Sequence, residues 1–362
     1  MKKIIMLLAA LIIIIGGTWW YKQTNAPEKT IKIGIMAPLS GKMALRGEST
    51  RQGLQLALEK IEAAGLLKEY TLELVYQDVP FEDAKRAPGA LSQLADVEHV
   101  AAIIGPLGSS VVAAVSPLID GYHIPMVVHA ASARSLTEGN EYMFRLWPTD
   151  KSYANTIRQQ LVPFGYERIA ALTAVSDNTI DLHELLSEDP GFAAEEKVST
   201  DDTDFKTQLT KLKAANPDAL FINLHVGQIG VAARQAKDLG IDVPIFTNSV
   251  ASVTELEAAL GALEGAWFPE FAGLSESAQQ EFIGSFGQEP GNPDNAAAAH
   301  DALLAIAEAI SEVGPDPAAI KAYLYGNEFS GAIGTYRFEP NGDAVIPLRV
   351  NVIAGEEVIR SQ

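Results

Sequence analysis

The segment AAIIGPLGSSVVAAVSPLIDGYHIPMVVHAASA, residues 101–133, contains two short apolar runs on either side of a longer run with helical spacing. The apolar runs at 100–104 and 125–128 predict buried strands, and residues 109–121 predict a helix between them. A strand, a crossover helix and a second strand at this spacing are typical of a parallel sheet. The small residues that follow each strand form loops at one edge of that sheet.

The same alternation extends upstream of this segment. Residues 31–35 predict a first strand and residues 72–76 another, and apolar residues at helical spacing over 54–61 predict a helix between them. Ser49 and Gln52 have the spacing of a capping box, which predicts that this helix begins near residue 49.

A second alternating block follows residue 150. Its predicted helices are 153–162, 205–215 and 228–239, and its predicted strands are 168–174, 219–224 and 244–247. Further helices are predicted at 275–286, 295–313 and 316–325, before a strand-like tail at 344–358. Two blocks of this kind predict an α/β protein with two Rossmann-like lobes, each built on a parallel sheet, and a cleft between them.

Composition excludes several classes of function. The chain has 362 residues, 48% of them hydrophobic, which is enough for the cores of about two domains. With 27 Lys+Arg against 46 Asp+Glu the net charge is −19, which disfavours binding to nucleic acid or to anionic lipid through the folded body. The chain has no cysteine, which excludes disulfides, thiolate catalysis, Cys-ligated zinc, iron–sulfur clusters and a lipid-modified cysteine.

The N-terminus predicts export. Lys2 and Lys3 precede an apolar run, and the 18 residues 4–21 span about 27 Å as a helix, just enough to cross a bilayer core. Residues 1–26 therefore form either a cleaved signal peptide or an uncleaved membrane anchor. The cleavage region is poor, so we favour an anchor at residues 4–21 that tethers an extracytoplasmic body to the cytoplasmic membrane.

Enzyme motifs are absent from the sequence. The loop after the first strand, residues 37–41, is no dinucleotide-binding Gly-x-Gly-x-x-Gly, and the chain contains neither a Walker A motif nor a Gly-x-Ser-x-Gly elbow. The six histidines are never four residues apart, and His183-Glu184 lacks the second histidine of a zinc-protease helix. We therefore expect no catalysis, no cofactor and no bound metal. A hydrolase or dehydrogenase would need one of the missing loops.

The strand-end loops are the candidate binding site. Ligands of open α/β sheets bind at the carboxyl ends of the strands, where residues 105–110 and 129–132 are predicted to lie. The helix that starts at Ser109 offers free N–H groups to an anion, and the hydroxyls of Ser109 and Ser132 add donors. The alternative is that Ser109 only caps its helix and that residues 129–132 form a plain tight loop.

Several segments carry a family resemblance through nearly the whole chain after residue 30. They are IKIGIMAPLSG (31–41), RGESTRQGLQLALEKIEAAG (46–65), residues 101–133, FRLWPTD (144–150), DFKTQLTKLKAANPDALFI (204–222), RQAKDLGIDVPIF (234–246), AAAAHDALLAIAEAI (296–310) and FSGAIGTYRFEPNGD (329–343). With these segments the chain resembles the substrate-binding proteins of branched-chain amino acid-type ABC transporters. This is the Leu/Ile/Val-binding family, which has the periplasmic binding fold type I.

The resemblance implies a clamshell with three hinge crossings, near 147–150, 271–274 and 344–348. Its implied lobes are 30–148 with 273–345, and 149–272 with 346–362. It also implies that the first lobe holds a ligand carboxylate at Ser109, Ala130 and Ser132, with Ala131 between them. The implied function is that of an extracytoplasmic, monomeric solute-binding protein, which captures an amino acid, amide or organic acid for a membrane ABC permease. The alternative is a sensing receptor or regulator domain of the same fold.

The sequence departs from the family at three aligned positions. Ser249 stands where amino-acid binders place a carboxylate for the ligand ammonium, and an enclosed ammonium without a counter-charge costs several kcal/mol. The three acids that could replace this carboxylate are Asp150, Asp177 and Glu270. Arg46 and His225 stand where the family has aromatic residues.

Each of these departures has a structural alternative. Arg46 either faces an anionic part of the ligand or is a solvated surface residue. For His225 the alternative to ligand contact is ordinary packing. Trp147 either stacks on the ligand at the cleft edge or is a buried hinge residue.

Overall fold

The computed structural model describes residues 29–133, 136–189, 191–249, 253–271, 274–346, 348–355 and 357–360. The predicted signal peptide or anchor at 1–26, and with it the tether at 4–21, lies outside the described residues. None of the described helices is long and apolar enough to cross a membrane.

The first sheet has five parallel strands in the order β2-β1-β3-β4-β5. Its elements are β1 (Lys29–Ala37), α1 (Ala44–Ala63), β2 (Tyr70–Asp78), α2 (Ala87–Ser92), β3 (Ala102–Ile104), α3 (Ser109–Tyr122), β4 (Met126–Val128) and β5 (Met143–Arg145). A single 3₁₀ turn at Ala84–Arg86 precedes α2, and a π-helical turn at Gln93–Val97 follows it. The carboxyl ends of β3 and β4 lie side by side, as the parallel register requires.

The second sheet has seven strands and is mixed, in the order β14-β13-β10-β9-β8-β6-β7. Its elements from the middle of the chain are α4 (Asp150–Leu161), β6 (Ile169–Ala174), α5 (Asp177–Ser187), β7 (Phe192–Val198), α6 (Lys206–Ala214), β8 (Ala219–Asn223), α7 (Ile229–Asp238), β9 (Ile245–Thr247), α8 (Val253–Ala259) and β10 (Trp267–Phe271). Strands β6 to β10 are parallel to one another.

The last part of the chain packs against the first sheet and adds two strands to the second. Its elements are α9 (Glu276–Phe286), α10 (Pro293–Val313), α11 (Pro317–Gly326), β11 (Glu328–Gly331), β12 (Gly334–Arg337), β13 (Leu348–Ala354) and β14 (Glu357–Arg360). The alanine-rich face of α10 and the β11–β12 hairpin share one core with β1 and α1. The last two strands pair antiparallel with each other, and β13 pairs antiparallel with β10.

The predicted α/β architecture with two doubly wound sheets is confirmed. Single elements differ: the predicted tail strand is two antiparallel strands, and the sequence predicts no element at the positions of β5, α5, β7, α8, β10 and the β11–β12 hairpin. The chain passes between the two sheets after β5, after β10 and before β13. The boundaries of the two lobes stay a prediction.

The predicted capping box at Ser49 and Gln52 is wrong. Helix α1 begins at Ala44, and Ser49 lies inside it, where its hydroxyl donates to the carbonyl of Leu45 at 3.0 Å. A serine that caps a helix can also bond back to the carbonyl four residues earlier, so its residue type does not fix the helix start. The same hydroxyl accepts from the backbone N–H of Asn292, the N-cap of α10.

Candidate functional site

A cleft of about 170 Å³ lies between the strand ends of the two sheets. The eight residues that the sequence predicts for ligand contact all line it: Arg46, Ser109, Ala130, Ala131, Ser132, Trp147, His225 and Ser249. We name the residues that follow β3 and β4 the first-sheet wall, and those that follow β6, β8 and β9 the second-sheet wall. Contact of these eight residues with a ligand stays a prediction.

The first-sheet wall is held by backbone hydrogen bonds. The N–H of Gly108 donates to the carbonyl of Ala130 at 2.7 Å, which joins the loops after β3 and β4. Gly108 is also the N-cap of α3, with φ of 95°, so the first residues of that helix line the cleft. The alternative that Ser109 caps α3 is wrong, because Ser109 is the first residue of the helix and no side chain caps it.

Ser109 joins the two loops from the other side. It is 7% exposed, and its hydroxyl accepts from the backbone N–H of Ala133 at 3.2 Å. The hydroxyl proton is therefore available to an acceptor in the cleft. Together with the N-terminus of α3, this gives the first-sheet wall the donors and the positive dipole end that stabilise a carboxylate.

A neutral histidine supports the loop after β4. His129 is fully buried, and burial lowers its pKa to about 4. Its Nε2 lies 2.9 Å from the hydroxyl of Thr50, which itself donates to the carbonyl of Arg46 at 3.1 Å. Since the Thr50 proton is used on that carbonyl, Nε2 of His129 carries the proton and donates to Thr50. His129 thereby ties the first-sheet wall to the turn of α1 that carries Arg46.

Side chains rather than backbone build the second-sheet wall. Nε2 of His225 lies 2.8 Å from the hydroxyl of Ser176, and its ring lies 6.3 Å from that of Phe81 across the cleft. Burial lowers the pKa of His225, and the positive charge of Arg46 lowers it further. The side-chain amide of Asn248 donates to the carbonyl of Leu224 at 3.1 Å. These contacts fix the wall, and none of its described residues that line the cleft carries a negative charge.

Arg46 lies in the first turn of α1. The sequence predicts a helix start near residue 49, and this would have placed Arg46 before the helix. It lines both the cleft and an adjoining cavity of about 890 Å³. Desolvation lowers the pKa of its guanidinium, and the charge of Asp294 offsets part of this effect. The interpretation of Arg46 as a solvated surface residue is wrong, since the side chain is half-buried between two cavities.

Trp147 has both of its predicted surroundings. The side chain is half-buried, and its ring packs edge-on against Phe271 with centroids 5.1 Å apart. The residue also lines the cleft and the adjoining cavity. Trp147 therefore lies at the cleft edge where the chain leaves the first sheet, and its roles in a hinge and in stacking on a ligand stay predictions.

Of the three acids that could serve a ligand ammonium, one lies in the cleft. Asp150 is 2% exposed, begins α4, and its backbone N–H donates to the carbonyl of Ser132 at 3.0 Å. Glu270 lies in the adjoining cavity, where it accepts from Arg349 at 2.9 Å and from Asn351. The side chain of Asp177 lies outside the described residues.

Phe81, Tyr153 and Ser176 also line the cleft, although no prediction from the sequence includes them. Phe81 and Ser176 follow the ends of β2 and β6, so the strand-end rule applied to every strand would have found them. Tyr153 is signalled by no pattern; burial raises the pKa of its hydroxyl, which stays protonated. Within the described part of the chain, His, Asp and Glu form no group of three that could hold a metal ion.

Known proteins resemble this chain over most of its length. A leucine-, isoleucine-, valine-, threonine- and alanine-binding protein of Pseudomonas aeruginosa is 25% identical over 338 residues, which cover 87% of each chain. A leucine-binding protein of Thermotoga maritima has a TM-score of 0.80 at 25% identity and covers 92% of this chain and 98% of its own.

A third similarity concerns the fold alone. A solute-binding protein of an ABC transporter from R. palustris, in complex with 4-hydroxybenzoate, has a TM-score of 0.81 at 20% identity. It covers 92% of this chain and 96% of its own. The model of the periplasmic binding protein family matches residues 30–354, so the chain belongs to the periplasmic binding protein family.

Proposed function

We propose that the chain captures a small carboxylate-bearing molecule, an amino acid, amide or organic acid, and delivers it to an ABC permease. The observation that carries this proposal is the convergence of eight separately predicted residues on one cleft between two sheets. A cleft of about 170 Å³ is smaller than the roughly 300–1,000 Å³ of pockets for drug-sized ligands, which favours a ligand of few atoms.

The first-sheet wall supports the carboxylate part of the proposal. A carboxylate between the loops would meet the N-terminus of α3 and the hydroxyls of Ser109 and Ser132, beside the small side chains of Ala130 and Ala131. Small residues let the backbone approach the ligand closely. Two of the similar proteins are described as binding leucine and 4-hydroxybenzoate. These two molecules share a carboxylate and little other chemistry.

The two walls belong to different sheets, which supports capture by closure. Lys42, which precedes α1 beside the first sheet, and Asp201, which follows β7 of the second sheet, form an exposed ion pair of 3.2 Å. A ligand that touches both walls binds the closed arrangement better than an open one and shifts the population toward it. The closed arrangement of the two walls is then the form that a partner recognises as ligand-bound.

The remaining parts of the proposal concern chemistry and place. The chain acts without catalysis, as a monomer outside the cytoplasm, with residues 4–21 as its tether to the membrane. A receptor or regulator domain with the same fold is the alternative role. Reconstitution decides between them: a transporter component stimulates the ATPase of its permease in the presence of ligand, whereas a sensor domain does not.

The experiment that tests ligand capture is thermal melting of the purified protein against amino acids, amides, 2-oxo acids, aromatic acids and dicarboxylates. A ligand at 100 times its dissociation constant adds about 2.7 kcal/mol to the free energy of unfolding. For a protein of this size that is a shift of several degrees. We expect a hit among the carboxylates, and a panel without any carboxylate hit contradicts the proposed function.

A further inference from the structure

Arg46 is the one cationic side chain among the described residues that line the cleft. It lies at the junction with the adjoining cavity, and Trp147, Tyr153 and Ser249 share that position. A charged guanidinium at such a junction loses part of its hydration, and desolvation accordingly lowers its pKa. Arginine nevertheless stays protonated at any physiological pH.

The protein satisfies this cation incompletely. Within the described part of the chain, the guanidinium of Arg46 donates no hydrogen bond and forms no ion pair. The charge of Asp294 favours the protonated guanidinium and offsets part of its desolvation. An arginine has five N–H donors in a planar fork, so most of its binding capacity is open toward the two cavities.

On the cleft side the groups around Arg46 are mostly neutral, whereas the adjoining cavity is also lined by acids, namely Glu270, Glu289, Asp294 and Glu357. Tyr153 is kept protonated by burial, the pKa of His225 is lowered, and Ser249 carries no charge. Asp150 is the one carboxylate among the described cleft residues, and it begins α4, where the helix dipole stabilises a negative charge. The cleft therefore has two places that favour an anion, the start of α3 and the guanidinium of Arg46.

We propose that the ligand carries a second anionic group, which Arg46 binds, and that the substrates are small dicarboxylates, with or without an amine. This inference rests on the proposed function, because the first carboxylate is assigned to the first-sheet wall. Arg46 is then the specificity-determining residue of the cleft. A carboxylate matches the guanidinium fork with two parallel hydrogen bonds, and a neutral group of the same shape does not.

The test compares acids with their monoamides, which have nearly the same shape and one charge less. The pairs are glutarate with glutaramate, glutamate with glutamine, and terephthalate with 4-carbamoylbenzoate. Both members of each pair carry an amine or both lack it. Any attraction between Asp150 and a ligand amine is therefore the same within a pair and cancels in the comparison. Leucine and benzoate complete the set, and isothermal titration of the full chain gives the affinities.

We expect at least one dianion to bind ten times or more tighter than its monoamide. Arg46→Gln should remove that preference. It should lower the affinity for the dianion tenfold or more, whereas the affinity for the monoamide should change less than threefold. The control is Arg51→Gln, on the exposed face of the same helix and already paired with Glu48 at 2.6 Å, which should change neither.

Three outcomes overturn the inference. If leucine, benzoate or a monoamide binds and no dianion does, the second anion is wrong and the proposed function stands. If Arg46→Gln weakens the binding of both members of a pair equally, Arg46 supports the shape of the cleft and does not distinguish a charged ligand group from a neutral one. If no carboxylate binds the wild-type protein, the proposed function fails together with this inference. Should Arg46→Gln fold poorly, the wild-type preference within the pairs decides alone.

Discussion

The two walls of the cleft are built in different ways. In the first-sheet wall, backbone groups bond to one another across the loops after β3 and β4, and the side chains are small. In the second-sheet wall, His225, Ser176 and Asn248 hold the surface through their side chains. A backbone-built wall suits a feature that all ligands share, such as a carboxylate. A side-chain wall can change its chemistry by substitution while the fold is kept.

The largest effect should come from crowding the backbone of the first-sheet wall. Gly105 has φ of 103°, and a Cβ there would lie 2.0 Å from the carbonyl oxygen of Met36. We expect Gly105→Ala to lower the free energy of unfolding by about 3 kcal/mol or more. The positive φ strains an alanine, and the clash is with a backbone carbonyl, which cannot move aside as a flexible side chain could. Urea denaturation measures the change.

The matched control lies beside the second-sheet wall. Gly227 has φ of 92°, and nothing lies within 4 Å of a Cβ built on it. Gly227→Ala should therefore cost only the strain of a positive φ, about 1–2 kcal/mol. If the two variants lose the same stability, the contrast between the walls is wrong.

The buried histidine behind the first-sheet wall should make stability depend on pH. Burial lowers the pKa of His129 to about 4, below the ordinary value of 6.5. As the pH falls from 6.5 to 4 the unfolded chain takes up the proton first, so stability falls across that window and not further below it. Between pH 7 and pH 4.5 this loss is about 2 kcal/mol.

Denaturation of the wild type and of His129→Gln at both pH values measures this contribution. The variant should lose about 2 kcal/mol less stability than the wild type on acidification. His225→Gln is the comparison from the half-buried second-sheet wall, and we expect a smaller difference there. An equal acid sensitivity in His129→Gln and in the wild type would show that His129 is not held neutral by the fold.

The hydroxyls of the first-sheet wall should contribute to affinity. Removing Ser109 and Ser132 together should weaken binding by about 1–2 kcal/mol, at roughly 1 kcal/mol per hydrogen bond. Ser187→Ala is the control outside the cleft, where an exposed hydroxyl donates to the carbonyl of Glu184 at 3.0 Å, and it should leave the affinity unchanged. Titration with any ligand from the melting panel measures both variants. Unchanged affinity in the double variant would contradict the placement of the carboxylate.

The smallest effect should come from the exposed ion pair between Lys42 and Asp201. Lys42 and Asp201 have side chains that are 74% and 78% exposed, so water and salt screen them. We expect Lys42→Met to weaken binding less than threefold, since exposed pairs contribute about 0–1 kcal/mol. A double-mutant cycle with Asp201→Asn at low and high salt isolates the pair. A large coupling energy that salt leaves unchanged would mean that the ion pair itself stabilises the closed arrangement.

The sequence predicts the first-sheet wall well because that wall depends on topology. Parallel strands bring their carboxyl ends to one edge, so loops that are distant in the chain, after β3 and β4, lie next to each other. The same rule places His225 and Ser249 in the cleft. It does not tell which of these residues touches a ligand, and that part stays a prediction.

Other elements depend on contacts that no local pattern reveals. The β11–β12 hairpin turns at Ala332 and Ile333, whose N–H groups donate to the carboxylate of Asp301 at 2.7 and 2.9 Å. Strand β7 follows an acidic, weakly periodic segment and is fixed by pairing with β6. In both cases the partner lies elsewhere in the chain, so the local sequence carries little signal.

The distribution of the chain over two sheets also determines when the protein can fold. The core beside β1 includes Ala299, Phe329 and Ile346, and the second sheet gains β13 only from residues 348–354. Neither core is complete until nearly all of the chain has been synthesised. A product truncated before β13 would leave β10, Trp267–Phe271, unpaired on the side where β13 lies. That apolar open edge would be available to other chains. The antiparallel pair β13–β14 thus completes the second sheet only after all of the parallel strands of that sheet have been made.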